Sequence, residues 1–379
     1  MRIVIAPDSF KECLSALAVA EALAAGLRRA IPDADLELVP MADGGEGTLD
    51  ALVAATGGRK ISLTVTGPMG KPVDAMYGLL GDGETAVIEM ASASGLALVL
   101  PQDRDPRVAT TYGTGELLRA AIEGGATRII MGIGGSATND GGAGMAEALG
   151  YRFLDADGNE LPRGGAFLRN LKRIDASNRL IAIDRCEILV ACDVTNPLCG
   201  PNGASQVYGP QKGADVETVQ LLDAALLHFA DAVRHHFGLD IAEVPGAGAA
   251  GGLGAGLVAF ARGSLRQGVD LVADACHLAD RMQGADLVIT GEGKLDGQTV
   301  HGKTPIGVAR IAQKTNIPVI AVAGVLGDGY EAVYDFGIRT VYALSTGSIS
   351  PDDAMANASE LLAIKGEIIG KELNRSGAP

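Results

Sequence analysis

The 379-residue chain contains no tryptophan, and its seven phenylalanines and seven tyrosines are too few rings for a base-stacking platform. Positive charge is scarce as well. A net charge of −15 excludes the basic footprint that nucleic acid requires and disfavours anionic membranes. The five cysteines form no C-x-x-C pair, which fits a reducing compartment where Cys packs as a small apolar residue. Neither H-E-x-x-H metal spacing nor a G-x-S-x-G nucleophile elbow occurs, so a structural zinc and an elbow-type hydrolase are both disfavoured. His228, His235, His236 and His277 fall in helical patterns and are expected on the surface, leaving His301 as the one loop histidine. Long apolar runs are also missing. Val244 to Ala261 carries no charge, but its glycines and alanines read as a loop and a buried helix instead of a membrane span. At the N-terminus, Pro7 and Asp8 cut the first apolar run short of a secretory segment, so a cytoplasmic location is expected.

What the chain has in abundance is glycine. Its 53 glycines are roughly 14% of the residues, about twice the usual ~7%, and they lie between periodic apolar segments. Arg2 to Ala6 reads as a strand, Ser15 to Ile31 as a helix with apolar spacing, Leu36 to Pro40 as a second strand and Gly47 to Thr56 as a second helix. After Gly57-Gly58 the rhythm changes. Ile61 to Thr66, Pro72 to Leu80 and Thr85 to Met90 are bounded by Gly-Pro and Gly-Asp-Gly turn signals and read as antiparallel strands.

Strand–helix alternation returns at Ala285 to Thr290, His301 to Lys314, Pro318 to Ala323, Tyr330 to Phe336, Thr340 to Leu344 and Asp352 to Leu373. The two ends of the chain together supply five strands. The α/β expectation is a flavodoxin-like parallel sheet of order 2-1-3-4-5, built from residues 1–60 and 281–379 and interrupted by a second, mixed α/β domain at 61–280. The competing division is two sequential domains cut near residue 150. In the preferred arrangement the active site lies in the cleft between the two domains.

Ligands of open α/β sheets bind beyond the carboxyl ends of the strands, so the residues there should carry chemistry. They do. Pro7-Asp-Ser-Phe-Lys11, Ala42-Asp-Gly-Gly-Glu-Gly-Thr48 and Gly291-Glu-Gly-Lys-Leu-Asp296 follow the first three strands, with Ala323-Gly-Val325 and Ser345-Thr-Gly347 after the fourth and fifth. In the inserted segment, Gly132-Ile-Gly-Gly-Ser-Ala-Thr-Asn-Asp-Gly-Gly142 follows a buried strand and offers backbone amides to a phosphate or carboxylate. Glu187 to Cys192 is a further strand that ends in Asp193-Val-Thr-Asn-Pro197. The competing reading of each acid is a helix cap or an Asx turn.

Gly297-Gln-Thr-Val-His-Gly-Lys-Thr304 matches the Walker A spacing, but it does not follow a strand directly and no Walker B aspartate is evident. Lys303 and Thr304 are instead expected to open a helix that lines the site, with Pro305 in its first turn. Acids, lysines, serine, asparagine and glycine form the kit of phosphoryl transfer: carboxylates hold Mg²⁺, lysines and amides neutralise phosphate charge, and an aspartate accepts a hydroxyl proton. Asp193 is the candidate base.

Taken together and in this order, Asp8 to Lys11, Ala42 to Thr48, Gly132 to Gly142, Asp193 to Leu198 and Thr290 to Asp296 resemble the bacterial glycerate kinase family over essentially the whole chain. The resemblance implies ATP- and Mg²⁺-dependent phosphorylation of D-glycerate, favouring the 2-hydroxyl, by a two-domain enzyme; whether it is a monomer or homodimer stays open. A glycerate 3-kinase or a kinase of another small hydroxy acid are the alternatives, with a non-enzymatic metabolite sensor behind them. For so small an anion, Lys11 and the amides of Gly134, Gly135 and Ser136 are candidate carboxylate partners. Asp8, Ser9, Asp43, Glu46, Asn139 and Asp140 are candidates for orienting hydroxyls or holding magnesium. Glu292, Lys294 and Asp296 are placed on the opposite lip, where Lys294 meets the transferred phosphoryl group; Asp296 and Asp140 are the candidate metal ligands. Which loop takes ATP and which takes glycerate stays open.

Overall fold

The structure, a computed structural model, describes residues 1–346 and 348–376. Gly347, placed by the sequence in the loop after the fifth strand, lies outside the described residues. The strands in chain order are β1 (Arg2–Pro7), β2 (Asp35–Leu38), β3 (Arg59–Thr66), β4 (Pro72–Leu79), β5 (Thr85–Glu89) and β6 (Arg128–Gly132). They continue with β7 (Arg152–Leu154), β8 (Arg173–Asp175), β9 (Glu187–Ala191), β10 (Ser264–Arg266), β11 (Leu287–Leu295), β12 (Val319–Leu326) and β13 (Ile338–Ala343). Parallel and mixed sheets with intervening helices make this an α/β protein. No helix among the described residues is long and apolar enough to cross a membrane.

The chain divides into two compact units. Unit 1 comprises Met1–Asp43, Asp50–Gly57 and the chain from Val269 onward; unit 2 comprises Gly44–Leu49 and Gly58–Gly268. The sheet of unit 1 has the order β13-β12-β11-β1-β2, with every neighbouring pair parallel. Its apolar, β-branched strands suit burial on both faces. Ile3, Ile5, Ile289 and Val322 pack with Leu23 and Leu27 of the helix Ala16–Ala30 and Leu362 of the helix Ala358–Ser376. The first of these helices starts where Ser15 accepts the backbone N–H of Ala18, and it carries Arg28 and Arg29 in its last turn, where cations favour the dipole. The two helices approach until a Cβ on Gly26 would lie 1.9 Å from the Ala363 carbonyl oxygen.

Unit 2 holds a six-stranded sheet of order β10-β9-β6-β5-β4-β3 and a separate β7-β8 pair. The first four strands are mutually parallel, and β5-β4-β3 are antiparallel. Turn chemistry accounts for the antiparallel end, since Asp82 accepts from the backbone of Glu84 and Thr85 between β4 and β5. Several of the scarce aromatic rings gather in this unit, four in its core and Phe237 at the surface. Tyr151, Phe153, Phe229, Phe237 and Phe260 form an edge-to-face and tilted cluster with centroids 5.0 to 6.4 Å apart. His228 and His236, expected on the surface, are half-buried: His228 Nε2 bonds the Leu171 carbonyl, and His236 Nε2 accepts from the Ile174 N–H. Backbone groups left over beside β8 draw the two rings inward.

Candidate active site

In unit 1 the carboxyl ends of the parallel strands surround a cavity of about 390 Å³. Asp8, Ser9 and Lys11 reach it after β1, Asp43 after β2, Glu292 and Lys294 from the end of β11, and Lys303 from the start of the helix Thr304–Gln313. The remaining wall is apolar, with Phe10, Val325, Leu344, Ala354 and Met355.

Asp8 is buried, and its carboxylate accepts from Thr304 Oγ1 at 2.5 Å and from the Ser9 N–H at 2.6 Å. Loss of water, together with the charge of Asp43, pushes its pKa up to about 6 against the stabilising hydrogen bonds. Glu292 is also buried. Thr299 Oγ1 donates to it at 2.6 Å and Lys303 Nζ lies 3.4 Å away, yet desolvation and the neighbouring Asp8 push its pKa up to about 7. Two crowded carboxyl groups thus share one cavity, each charged at a cost.

Asp296 is differently placed. Lys294 Nζ lies 3.0 Å from it and the Gln298 N–H donates to it, and these partners, Lys294 foremost, hold its carboxyl below the usual range. In the Walker-like segment Thr299 closes a turn on Asp296 and donates to Glu292, Lys303 stands at the start of a helix whose first turn contains Pro305, and Thr304 donates to Asp8, so the segment lines the cavity without forming a phosphate loop after a strand.

Unit 2 gathers the remaining candidates. The loop after β6 exposes Gly134 and Gly135 and buries Ser136, Asn139 and Asp140. Among the described residues, the N–H groups of Gly134, Gly135 and Ser136 make no hydrogen bond. Glu46 is exposed in the short 44–49 segment, which runs beside the same loop, with Gly45 near Gly134. Asp193 follows β9, the strand next to β6; it is exposed, and its Oδ1 accepts from the Gly268 N–H at 2.9 Å.

Asp140 has its oxygens taken from within the protein. The Thr111 N–H and hydroxyl and the N–H groups of Gly142 and Gly144 all donate to it at 2.8 to 3.2 Å. Burial raises its pKa against these bonds. That leaves it closing the loop, with no side open to a metal ion. Asn139 is likewise buried and donates to Ser205 Oγ.

Lys212 gave no signal in the sequence. It is a long side chain buried to its tip, and its Nζ donates to Ser136 Oγ and to the Thr138 carbonyl, each at 2.6 Å. Its only advertisement is a lysine between Gln211 and Gly213, which reads as an ordinary surface turn.

The model of the glycerate kinase family matches residues 3–374. The chain belongs to the glycerate kinase family. A glycerate kinase of Halalkalibacterium halodurans is 53% identical over 95% of both chains, and the glycerate 2-kinase of Escherichia coli K12 is 52% identical over 94% of both. A solved structure from Salmonella typhimurium LT2, assigned as glycerate kinase 2, is 50% identical and superposes with a TM-score of 0.93, covering 100% of this chain and 99% of the other. Membership makes the protein a phosphotransferase, for which glycine-acid loops at strand ends are appropriate equipment.

Proposed function

We propose that the protein transfers the γ-phosphoryl group of ATP to the 2-hydroxyl of D-glycerate. Supporting this most directly is 52% identity across nearly all of a protein named glycerate 2-kinase. A five-stranded parallel sheet of the observed order reads as flavodoxin-like, with residues 58–268 as the interrupting insert.

The nucleotide belongs in the unit 1 cavity, whose volume exceeds what a three-carbon acid fills and whose apolar wall suits a base. Lys11, Lys294 and Lys303 are the cations available there for its phosphates, and Ser9 is a hydroxyl donor. Asp8 and Asp43 fit a magnesium ion: they are hard oxygen donors whose mutual repulsion raises Asp8, and Mg²⁺ needs only one or two carboxylates besides phosphate and water. When bound, the cation offsets the negative charge of the nucleotide. Asp296 remains with Lys294 and holds that lysine in place.

Glycerate belongs on unit 2, where the free amides after β6 meet its carboxylate and Asp193 after β9 accepts the hydroxyl proton. Glu46, beside the loop, is a hydroxyl partner. A coupled assay with ATP, Mg²⁺ and D-glycerate should form ADP, and carbon NMR of the product should show 2-phosphoglycerate. ADP formation no faster than without glycerate sinks the proposal, and 3-phosphoglycerate overturns its regiochemistry.

A further inference from the structure

We infer that Lys212 is the positioning residue of the substrate site, a buried cation that makes the 134–136 loop a receptor for the carboxylate of a 2-hydroxy acid. The inference rests on the glycerate reading above and adds the residue that gives the loop its charge.

An ammonium group can only donate. Ser136 Oγ therefore accepts from Lys212, and the serine's own proton is left to donate elsewhere; among the described residues it has no acceptor. Three backbone N–H groups in succession, those of Gly134, Gly135 and Ser136, are also unpartnered, and the two glycines are exposed. Four donors and one buried positive charge thus converge on one short loop, and nothing in the loop supplies a matching negative charge. No carboxylate lies within ion-pair distance of Lys212 Nζ among the described residues. Asp140 is the acidic neighbour, but its oxygens are committed to Thr111, Gly142 and Gly144. The other charged group near the lysine's turn is Arg104, whose guanidinium binds the Gln211 carbonyl.

A buried ammonium without a counter-ion is costly, and the cost falls when an anion docks beside it. The exposed part of the loop consists of two glycines backed by a serine, which leaves room for a carboxylate close to the backbone and offers no surface to a nucleoside. Desolvation carries the pKa of Lys212 down to about 7, opposed by the charge of Asp140, so the free enzyme loses the cation as pH rises past neutrality. A bound carboxylate holds the proton on.

The test is steady-state kinetics of the full chain with D-glycerate and ATP varied separately between pH 6 and 9. In the wild type, KM for D-glycerate should rise about tenfold per pH unit above the lysine pKa while KM for ATP stays within about twofold. K212M should raise KM for D-glycerate at least about tenfold at pH 6.5, leave KM for ATP within about twofold, and flatten the pH dependence. K212R tests charge against shape by keeping a cation that does not titrate. S136A, which removes one hydroxyl and no charge, should raise KM for D-glycerate about fivefold, and it decides the matter should K212M fail to fold by circular dichroism.

An unchanged KM for D-glycerate in K212M or S136A overturns the inference, as does a selective rise in KM for ATP. If the wild type turns over no D-glycerate, the kinase reading fails separately; calorimetry with D-glycerate and D-lactate then still decides whether the wild type binds a carboxylate that K212M does not.

Discussion

At the residue scale, we assign the proton-transfer step to Asp193, which is exposed after β9, the strand paired with β6, whereas Asp140 is saturated. Asp193→Asn keeps an oxygen for the Gly268 N–H and removes the carboxylate's charge and basicity. We therefore expect kcat to fall about 100-fold or more with the circular dichroism spectrum unchanged; an unchanged kcat removes Asp193 as the base. Glu292 gives the complementary case, a charge that the fold bears at a cost. Its pKa is raised from 4.5 to about 7, so the stability it contributes is fully present below pH 4.5 and is lost as pH rises through 7. Above that pH, Glu292→Gln should be the more stable protein by up to about 3 kcal/mol, because the amide still accepts from Thr299 and needs no desolvated charge. Urea denaturation at pH 4.5 and pH 8 checks this: the difference between the two proteins should widen with pH, and a constant difference refutes the assigned cause.

Among the elements, the helix assigned to Ala249–Ala261 is interrupted at its start, where Ala250, Gly251 and Gly252 take left-handed backbone angles. The interruption serves the loop after β6. A Cβ on Gly251 would lie 1.9 Å from the Thr138 carbonyl oxygen, the same oxygen that accepts from Lys212, and the Gly251 carbonyl accepts from the Gly141 N–H. Gly251→Ala should cost about 2 kcal/mol or more through backbone strain and contact, and it should raise KM for D-glycerate by displacing that carbonyl. Gly26→Ala, equally crowded but against Ala363 in unit 1, is the control: thermal melting should fall while KM stays put. Were both variants to change KM alike, the loop would not be the reason.

The sequence showed the glycines of this region as a loop and a helix. It did not show that three left-handed residues join them, because such a kink is set by a carbonyl more than a hundred positions away. Strand ends were legible for the opposite reason. Val4-Ile-Ala6 stops at Pro7-Asp8, so apolar period and acid follow each other directly in the chain; Val288-Ile-Thr290 reads as stopping at Gly291 in the same way, but β11 runs on to Leu295 because Glu292 and Lys294 still pair with β12. Whether an acid then faces ligand or its own turn is a three-dimensional matter, which is why Asp140 and Asp8 look alike in sequence and differ in place. Lys212 was illegible because a lysine next to glycine is solvated by default, and the groups that hold its buried ammonium, Ser136 and the Thr138 carbonyl, come from far away in the chain.

At the scale of the whole molecule, the net charge of −15 sets a repulsive far field against glycerate, itself an anion. The local attraction comes from a lysine that is fully buried and from backbone amides, and these act at contact distance. Salt separates the two contributions. The Debye length falls from ~30 Å at 0.01 M to ~8 Å at 0.15 M ionic strength, so diffuse surface repulsion is screened while buried pairs are screened much less. The kcat/KM for D-glycerate should therefore rise, roughly twofold, as ionic strength increases over that range at fixed Mg²⁺ and saturating ATP. Running the series once with NaCl and once with potassium glutamate separates screening from competition by a particular anion, since screening depends on ionic strength alone. A fall in kcat/KM with both salts would mean that exposed lysines, not the buried loop, capture the substrate. K212M sharpens the reading further: with the buried cation removed the far-field repulsion persists, so the relative gain with salt should survive even as the absolute kcat/KM drops.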